Sequence, residues 1–225
     1  MQSRPGMSPE NTCRRCGQCC QQGGAALHSA DRDLVVTGHL QLTDLITVRA
    51  GELAIQPLAD SPVRVEKEFL KLQSQGSSWC CRFYDFQEKG CSIYQYRPLA
   101  CRLLDCSHPD ELLSIAGRDL LTRFDLIPAD DPLTKLVNRH LKICPYPDLN
   151  RYYFSGIKNL NRDEIAELNQ LINHDLGLRM EAGDRFGLSL DQELFYFGRP
   201  MFQIFQQLGF TVLERNNRLV LHSDQ

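Results

Sequence analysis

The sequence lacks several features that would assign a chain to a class of protein at once. Among its 225 residues, no apolar run approaches the roughly 20 residues of a membrane-spanning helix. The first residues, MQSRPGMSPENTCRRC, contain no apolar stretch of the kind found in secretory signals, so we expect no export signal and a cytoplasmic location. The formal net charge of -3 is small, which gives no electrostatic reason to expect nucleic acid or an anionic membrane as a partner.

The chain also lacks internal repeats, low-complexity tracts and a glycine-rich nucleotide-binding loop. Hydrophobic residues make up 42% and charged residues 24% of the sequence, which is typical of globular proteins. At this length the chain can bury a sizeable core, in one large domain or in two small ones. The sequence therefore predicts an ordinary globular protein.

Cysteine is the residue that the chain has in excess. Nine of its 10 cysteines lie between Cys13 and Cys106, and Cys144 lies beyond them. An even number is compatible with disulfides, but a reducing cytoplasm seldom keeps them, and a chain of this length folds without them. The adjacent pairs Cys19-Cys20 and Cys80-Cys81 are also poorly placed to bridge each other. Metal ligation is therefore the favoured interpretation.

The first cysteine motif is CRRCGQCC, which contains Cys13, Cys16, Cys19 and Cys20. A C-x2-C spacing holds two thiolates on one tight turn, and a third cysteine at the same spacing extends the loop around a common centre. This arrangement suits tetrahedral zinc and equally suits an iron–sulfur cluster. Because consecutive side chains tend to diverge, Cys19 and Cys20 need not serve the same metal.

The second cysteine group is spread more widely. Cys81, Cys91 and Cys101 are ten residues apart, and Cys106 follows five residues later. Such spacings predict ligands that come from separate elements: a strand, a turn at Lys89-Gly90 and a helix that starts near Pro98. With the first motif, these residues could form one four-cysteine site with spare thiols, or two sites.

Arginines accompany both cysteine groups. A metal or cluster held by four thiolates carries a net negative charge of about two, which guanidinium groups can balance. One arginine alone is most often a solvated surface charge, but five near cysteines favour a role around the ligands. The five are Arg14, Arg15, Arg82, Arg97 and Arg102.

Other residues are weaker candidates. Cys80 and Cys144 fit the ligand pattern less well, although Cys144-Pro145 is similar to the isolated cysteine–proline of ferredoxin sites. His108 and His140 lie near Cys106 and Cys144, but a histidine in the surface or the core is the commoner case. A thioredoxin-like redox pair and a cysteine–histidine nucleophile are both disfavoured, since no strand precedes the motif and no base pairs clearly with a thiol.

Residues 10–106 resemble the YkgJ-type cysteine-cluster (CxxCxxCC) family, which is described as a zinc- or iron-chelating domain. The resemblance rests on CRRCGQCC and on CRFYDFQEKGCSIYQYRPLACR. It implies a bound metal, with Tyr94, Arg97 and Arg102 next to the ligands, and no agreed reaction. Some flagellin lysine methylases carry a similar signature in an iron–sulfur context. The ligands we predict are Cys13, Cys16, Cys19, Cys20, Cys81, Cys91, Cys101 and Cys106, with Cys80 and Cys144 as weaker members.

Two functions are compatible with these residues. In the first, which we favour, the chain carries an iron–sulfur cluster, preferably [4Fe-4S], for a redox or modification reaction. In the second, Zn2+ makes the chain a structural or metal-handling interaction module. Whether the protein is an enzyme, and which protein or substrate it meets, stay open at this stage.

The predicted fold is α+β and mainly helical. A cysteine-ligated, metal-centred half with short strands (10–106) precedes a helical half that ends in a β-hairpin (107–225), packed together as one globular unit. Cap residues and apolar spacing predict helices over residues 29–38, 43–51, 107–124, 131–141, 161–172 and 189–209, the last broken at Gly198–Pro200. Short strands are predicted over residues 64–72 and 82–86, and a hairpin is predicted to turn at Asn216-Asn217.

Overall fold

The computed structural model describes residues 13–57, 59–76, 78–155 and 160–222. Within these residues, nine helices and eight short strands form a mixed α+β fold that ends in a β-hairpin, as predicted. The strands pair into four two-stranded sheets, β1–β4, β2–β3, β5–β6 and β7–β8. No helix in this part of the chain combines the length and the apolar character that crossing a bilayer requires.

The helices are short except for one. They are α1 (Gln18–Gln21), α2 (Arg32–Val36), α3 (Leu99–Leu103), α4 (Asp110–Ile115), α5 (Thr134–Ile143), α6 (Leu149–Ser155), α7 (Arg162–Phe186), α8 (Leu190–Phe197) and α9 (Met201–Gln207). The strands are β1 (Leu45–Val48), β2 (Leu53–Ile55), β3 (Pro62–Arg64), β4 (Phe69–Leu72), β5 (Tyr84–Asp85), β6 (Gly90–Cys91), β7 (Thr211–Arg215) and β8 (Arg218–His222).

The chain divides into two compact units, and each is discontinuous in sequence. The first unit comprises the described parts of Met1–Leu40 and Leu72–Leu120, and the second those of Gln41–Lys71 and Leu121–Gln225. Nine of the ten cysteines therefore belong to the first unit, and Cys144 belongs to the second. The units change over at residues 40–41, 71–72 and 120–121, whereas the sequence predicted a division after residue 106.

The first unit has little regular structure, and its backbone is held by pairing between distant segments. His28 forms an antiparallel bridge with Leu120, and the Ser29 amide donates to the Asp119 carbonyl at 2.7 Å. The Leu72 amide donates to the Ala25 carbonyl at 2.9 Å. These hydrogen bonds bring the ends of its two sequence segments together, and they leave the cysteines on the turns and short helices between them.

The second unit is built on α7. Asn161 and Glu164 form the predicted capping box at its start: the Glu164 amide donates to Asn161 Oδ1 at 2.9 Å, and the Asn161 amide donates to Glu164 Oε2 at 2.9 Å. The aromatic residues of α8 and α9 form its core, because Phe195, Phe197 and Phe205 are fully buried. These three aromatic side chains therefore belong to the core of the second unit.

The terminal hairpin is confirmed in both its strands and its turn. β7 and β8 pair in antiparallel register from Thr211 with His222 to Arg215 with Arg218. Asn216 and Asn217 adopt positive φ values of 52° and 59°, the left-handed conformation that asparagine tolerates better than most residues. On α7, the Asn173 side chain exchanges two hydrogen bonds with the Leu219 backbone, which joins β8 to the long helix.

The helix predicted over residues 43–51 is wrong. Leu42–Asp44 form a single 3-10 turn, and the next residues form β1. The β-branched pair Thr47-Val48 favours a strand, and three of the four residues of β1 are buried. The Thr47 hydroxyl also donates to the carbonyl of Phe195, a residue that local sequence could not supply. Tertiary burial has overridden the capping signal.

Other predicted boundaries also move. The helix predicted over 107–124 is reduced to α4, because Gly117, at φ 73°, follows soon after it and Ser107 does not cap it; Asp105 Oδ1 instead accepts the Ser107 amide at 2.7 Å. The helix predicted from Asp131 begins at Thr134, since Asp131 holds the Leu133 amide in a turn. Residues 64–72 form the end of β3 and all of β4, and residues 82–86 contain only β5.

Candidate metal centre

The first cysteine motif wraps around a glycine turn. Cys13 and Cys16 lie in the loop before α1, and Cys19 and Cys20 lie within α1. Gly17 caps this helix at φ 77°, and a Cβ atom at this position would lie 2.3 Å from the Tyr84 hydroxyl. Only glycine permits both the left-handed turn and this approach to the tyrosine ring. Gly17 therefore sets how closely the motif lies against the second cysteine group.

The second group comes from three separate elements, as predicted. The Cys81 amide donates to the Cys20 carbonyl at 2.7 Å, which joins the two groups directly. Cys91 pairs with Tyr84 across β5–β6, after a turn in which Lys89 has a φ of 48°. Cys101 lies on α3, which begins just after Pro98.

A buried carboxylate positions the helix of Cys101. Asp31 is fully buried, and its Oδ1 accepts the amide of Leu99, the first residue of α3, at 2.7 Å. Its Oδ2 accepts the His28 amide at 2.9 Å. Arg102 Nη2 lies 3.9 Å from the same carboxylate, so this arginine pairs with Asp31. Asp31 thus ties α3 to the turn that precedes α2.

The thiol groups of the first unit influence one another electrostatically. Burial raises the pKa of Cys101, and the charges of Cys81, Cys19 and Cys91 raise it further. Cys106 is exposed, but partial loss of solvent raises its pKa, and the charges of Cys19, Cys16 and Cys13 act in the same direction. Together with the pKa shifts of Cys20 and Cys91, these shifts link eight thiols, each of which affects or is affected by the pKa of another: Cys13, Cys16, Cys19, Cys20, Cys81, Cys91, Cys101 and Cys106.

Cys19 and Cys20 behave as a pair. A hydrogen bond from the Cys20 thiol lowers the pKa of Cys19 to about 6, while the same bond raises the pKa of Cys20 above its usual value. Cys20 also lies within the influence of the charges on Cys81 and Cys101.

Arginine and tyrosine side chains stack beside the thiols. The guanidinium groups of Arg15 and Arg97 lie 4.2 and 3.6 Å from the centre of the Tyr94 ring. Burial raises the pKa of Cys91, and the Arg97 charge is among the effects that oppose this rise. Nε and Nη1 of Arg97 are buried without a hydrogen-bond partner in the described part of the chain. Unpartnered cationic donors next to thiols suit a negatively charged, thiolate-ligated group.

Two of the four weaker candidates, Cys144 and His140, belong to the second unit, and Cys80 and His108 belong to the first. Cys80 is buried, and burial alone raises its pKa. Cys144 is buried in the second unit, where burial raises its pKa to about 11. His108 is exposed and lies 3.7 Å from Asp105, and His140 is a core histidine bound to Asp175 at 2.6 Å. Nothing in this geometry favours any of them as a ligand.

The thiols of the two cysteine groups do not converge on one metal position in this structure. Across the described residues, no three side chains of Cys, His, Asp or Glu converge tightly enough to hold one metal ion. Cys16 and Cys106 are exposed, and Cys13, Cys19, Cys20, Cys91 and Cys101 are partly exposed. Metal binding would therefore have to draw several thiols inward.

Sequence reasoning missed three residues that shape this region. Gly17 lies inside the cysteine motif, but the sequence did not indicate that its missing side chain leaves room for the Tyr84 ring. Asp31 gave no signal, because its partner Leu99 is 68 residues away. Gln75 was also missed; its side-chain amide donates to the Cys81 carbonyl at 3.0 Å and to the Tyr84 carbonyl, which fixes the loop that carries Cys81.

We expect Gly17→Ala to destabilise the protein more than Gly38→Ala does. Both glycines have nearly the same φ, 77° and 79°, so both variants carry the left-handed strain of roughly 1–2 kcal/mol. Only at Gly17 would the new methyl group meet Tyr84, which adds about 1–3 kcal/mol of overpacking. Denaturant unfolding and metal content per chain measure the difference, and equal losses in the two variants would contradict the role given to Gly17.

Asp31→Asn is expected to lower the stability of the first unit and its metal content. The carboxylate oxygens accept one backbone amide each, so an amide side chain leaves one buried N–H unpaired, at a cost of about 1–3 kcal/mol. Asp33→Asn is the matched control, because Asp33 is exposed and lies only two residues from Asp31. The unfolding midpoint, followed by the fluorescence of Trp79, should fall only for Asp31→Asn.

Comparison with protein families agrees with the sequence motifs. Residues 12–118 match the family model CxxCxxCC, whose description reads "Putative zinc- or iron-chelating domain". The predicted family resemblance is thus confirmed, and the segment contains every cysteine except Cys144. The match supports metal binding, with zinc or iron as the metal. No curated protein and no solved structure matched the chain.

Proposed function

Starting from the match of residues 12–118 to a zinc- or iron-chelating domain, we propose that this protein carries an iron–sulfur cluster, preferably [4Fe-4S], for a redox or modification reaction. The main support is the 2.7 Å hydrogen bond from the Cys81 amide to the Cys20 carbonyl, which joins the two cysteine groups, together with the buried donors of Arg97 beside Tyr94, which are unpaired among the described residues. Eight cysteines are twice the number that one four-ligand site uses. This excess favours clusters, or one cluster with exchangeable thiols, over a single zinc ion.

We propose as ligands the eight cysteines that interact: Cys13, Cys16, Cys19, Cys20, Cys81, Cys91, Cys101 and Cys106. The hydrogen bond between Cys20 and Cys81 keeps the two cysteine groups together before any metal binds. Formation of a shared coordination sphere would require several of these side chains to shift, and the two exposed ones, Cys16 and Cys106, lie outside the helices and strands. Cys80 and Cys144 are left out of this set because neither is linked to the other thiols.

The residues around the thiols suit an anionic cluster. Arg97 offers two buried N–H donors that no described residue accepts, and Tyr94 holds its guanidinium in place by stacking. Backbone amides also point at sulfur: Arg15 N lies 3.4 Å from Cys13 Sγ, and the Ile93 amide is among the effects that lower the pKa of Cys91. A bound cluster would supply one-electron chemistry. The chain's own part is to neutralise its charge and to limit its contact with water.

Zinc is the second candidate. Four thiolates from two loops can form a closed tetrahedral site, which is the usual arrangement of structural zinc. The family description includes zinc chelation, and the Cys19-Cys20 pair already holds one thiol whose pKa is lowered to about 6. In that case the protein would be a structural or metal-handling interaction module. We propose a cytoplasmic location for either function, because ten free cysteines persist best in a reducing compartment.

Metal and acid-labile sulfide analysis of protein purified without oxygen tests the proposal. Iron and sulfide in near-equal amounts, with a brown colour and broad visible absorption that bleaches in air, are the expected result. Zinc in a fixed ratio to the protein, without sulfide, would reject the iron–sulfur proposal and support the zinc site instead. A protein that takes up neither metal, even after anaerobic reconstitution with iron and sulfide, would overturn both.

A further inference from the structure

The second unit contains a group of buried polar side chains whose hydrogen-bonding capacity is unused. Arg49, His140, Tyr146 and Arg179 are each more than nine-tenths buried. The atoms without a hydrogen-bond partner in the described residues are Arg49 Nε and Nη1, His140 Nδ1, Tyr146 Oη and Arg179 Nη1, of which Arg179 Nη1 still lies 3.8 Å from Glu193 Oε2. Folded proteins seldom leave such atoms unpaired, so several together indicate a missing partner.

These side chains are neighbours. The Arg49 guanidinium lies over the Tyr146 ring, 4.6 Å from its centre, and Nη2 of Arg49 donates to the Cys144 carbonyl. His140 and Arg179 both bind Asp175, and the Cys144 amide donates to the His140 carbonyl at 2.9 Å. Burial is the largest effect on both titratable groups, lowering the pKa of His140 and raising that of Tyr146, while the charges of Arg49 and Arg179 lower both. These contacts place the unpartnered atoms in one region of the second unit.

Arg49 lacks a carboxylate partner in the described part of the chain, unlike three other arginines of the second unit. Arg123 pairs with Glu68, Arg179 with Asp175 and Glu193, and Arg199 with Glu52. Glu52 approaches Arg49 only through the backbone, because its Oε2 accepts the Arg49 amide at 3.3 Å. Among the described residues, Arg49 is thus a buried cation without an ion pair, which is costly unless an anion accompanies it.

Capping of a helix explains only part of this arrangement. Through Nη2, Arg49 satisfies the Cys144 carbonyl at the end of α5, a common use of arginine at a helix C-terminus. Nε and Nη1 have no such use, and neither does the Tyr146 hydroxyl. A metal ion is a poor occupant, because two guanidinium groups would repel it.

We propose that the second unit binds a small oxyanion beside Arg49 and Tyr146. The guanidinium and the phenol donate hydrogen bonds to its oxygens. Asp175 accepts Nε2–H of His140 at 2.6 Å, so Nδ1 is left as an acceptor on a neutral ring. An oxyanion that retains a proton, such as hydrogen phosphate, would satisfy all three side chains. Because these residues lie in the second unit, this inference does not depend on the metal proposed for the first.

Tyr146→Phe is the decisive variant. It removes only a hydroxyl that has no protein partner, so a fold without a ligand should be as stable as the wild type or more stable. The metal-loaded, full-length protein is freed of oxyanions by dialysis and then titrated with inorganic phosphate, with ionic strength held constant by sodium chloride. The readouts are the thermal midpoint and ion chromatography of phosphate released by denaturation. Tyr153→Phe, at a half-exposed tyrosine, is the matched control.

A saturable rise of the midpoint with phosphate is expected for the wild type and Tyr153→Phe, with about tenfold weaker apparent affinity in Tyr146→Phe. Phosphate released in stoichiometric amount from the wild type, and lost in Tyr146→Phe, would support the site equally. Acetate in place of phosphate distinguishes a carboxylate site from a phosphate site, and a response to either supports an oxyanion. If neither anion acts and none is released, or if Tyr146→Phe responds like the wild type, the proposal is wrong.

Discussion

Cys16→Ser is expected to lose most of the bound metal and to unfold at a clearly lower temperature than the wild type. Cys16 is exposed, so replacing its sulfur by oxygen removes no buried packing. Structural metal sites contribute on the order of 10–16 kcal/mol, and the loss of one thiolate of four removes about 3 kcal/mol or more. For a chain of this length, that corresponds to a fall of the midpoint by roughly 6–12 °C.

Cys144→Ser provides the matched control for this experiment. Cys144 is buried in the second unit and is not linked to the other thiols, so its replacement should leave metal content unchanged. Iron, zinc and sulfide are measured per chain in both variants, and unfolding of the first unit is followed by Trp79, the single tryptophan. Full metal content and full stability in Cys16→Ser would mean that Cys16 is not a ligand.

Asp175→Asn is expected to destabilise the second unit by about 3–5 kcal/mol. The buried carboxylate accepts four hydrogen bonds, from His140 Nε2 at 2.6 Å, Arg179 Nη2 at 3.2 Å, Arg179 Nε at 3.1 Å and the Met201 amide at 3.0 Å. Each carboxylate oxygen accepts two of these bonds, and the amide nitrogen that replaces one oxygen in asparagine accepts neither of its two. It also leaves the buried Arg179 charge with only Glu193, 3.8 Å away. The variant keeps the shape of the side chain, so the loss measures charge and hydrogen bonding.

Asp184→Asn is the control, because Asp184 lies on the same helix and is exposed. Denaturant unfolding followed by far-ultraviolet circular dichroism reports the second unit, which contains the longest helix. A pH series adds a second test. Burial raises the pKa of Asp175 most, but the hydrogen bond from His140 and the charge of Arg179 together hold that pKa well below its usual range.

The depressed pKa fixes the sign of the pH dependence. The stabilisation by the Asp175 carboxylate is fully present above the unfolded-state pKa of about 4, and it is lost as the pH falls through the folded-state pKa. The gap between wild type and Asp175→Asn should therefore be constant near neutral pH and shrink in acid. A gap of under about 1 kcal/mol at neutral pH would show that the network is not a main source of stability.

The features predicted correctly from the sequence are those with local causes. The cap of α7 depends on Asn161 and Glu164, which are three residues apart, and the terminal hairpin depends on Asn216-Asn217 between two alternating runs. The break between α8 and α9 follows from Gly198 and Pro200, since proline lacks the amide that a helix needs. Each of these signals acts within a few residues, so the fold has little opportunity to override it.

The elements that were predicted wrongly carry a local signal that another interaction outweighs. Residues 43–51 carry a helix cap and a terminal glycine, yet Leu45–Val48 form a strand, because burial and the pairing of β1 with β4 outweigh local propensity. Ser107 was predicted as a helix cap, but its amide donates to the Asp105 side chain and it does not cap α4. In the first case the deciding partners, β4 and Phe195, lie far along the chain, and in the second a residue only two positions away prevails over the expected cap.

By itself, the sequence determined the chemistry of the first unit: nine cysteines at metal-ligand spacings and the family to which residues 12–118 are matched. Tertiary structure alone decided that the backbones of Cys20 and Cys81 are hydrogen-bonded, that Asp31 anchors the helix of Cys101, and that Arg49 is buried without a carboxylate partner among the described residues. Residue type and spacing along the chain encode what a side chain can do. Burial and pairing depend on partners tens of residues away, and only the folded chain brings those partners together.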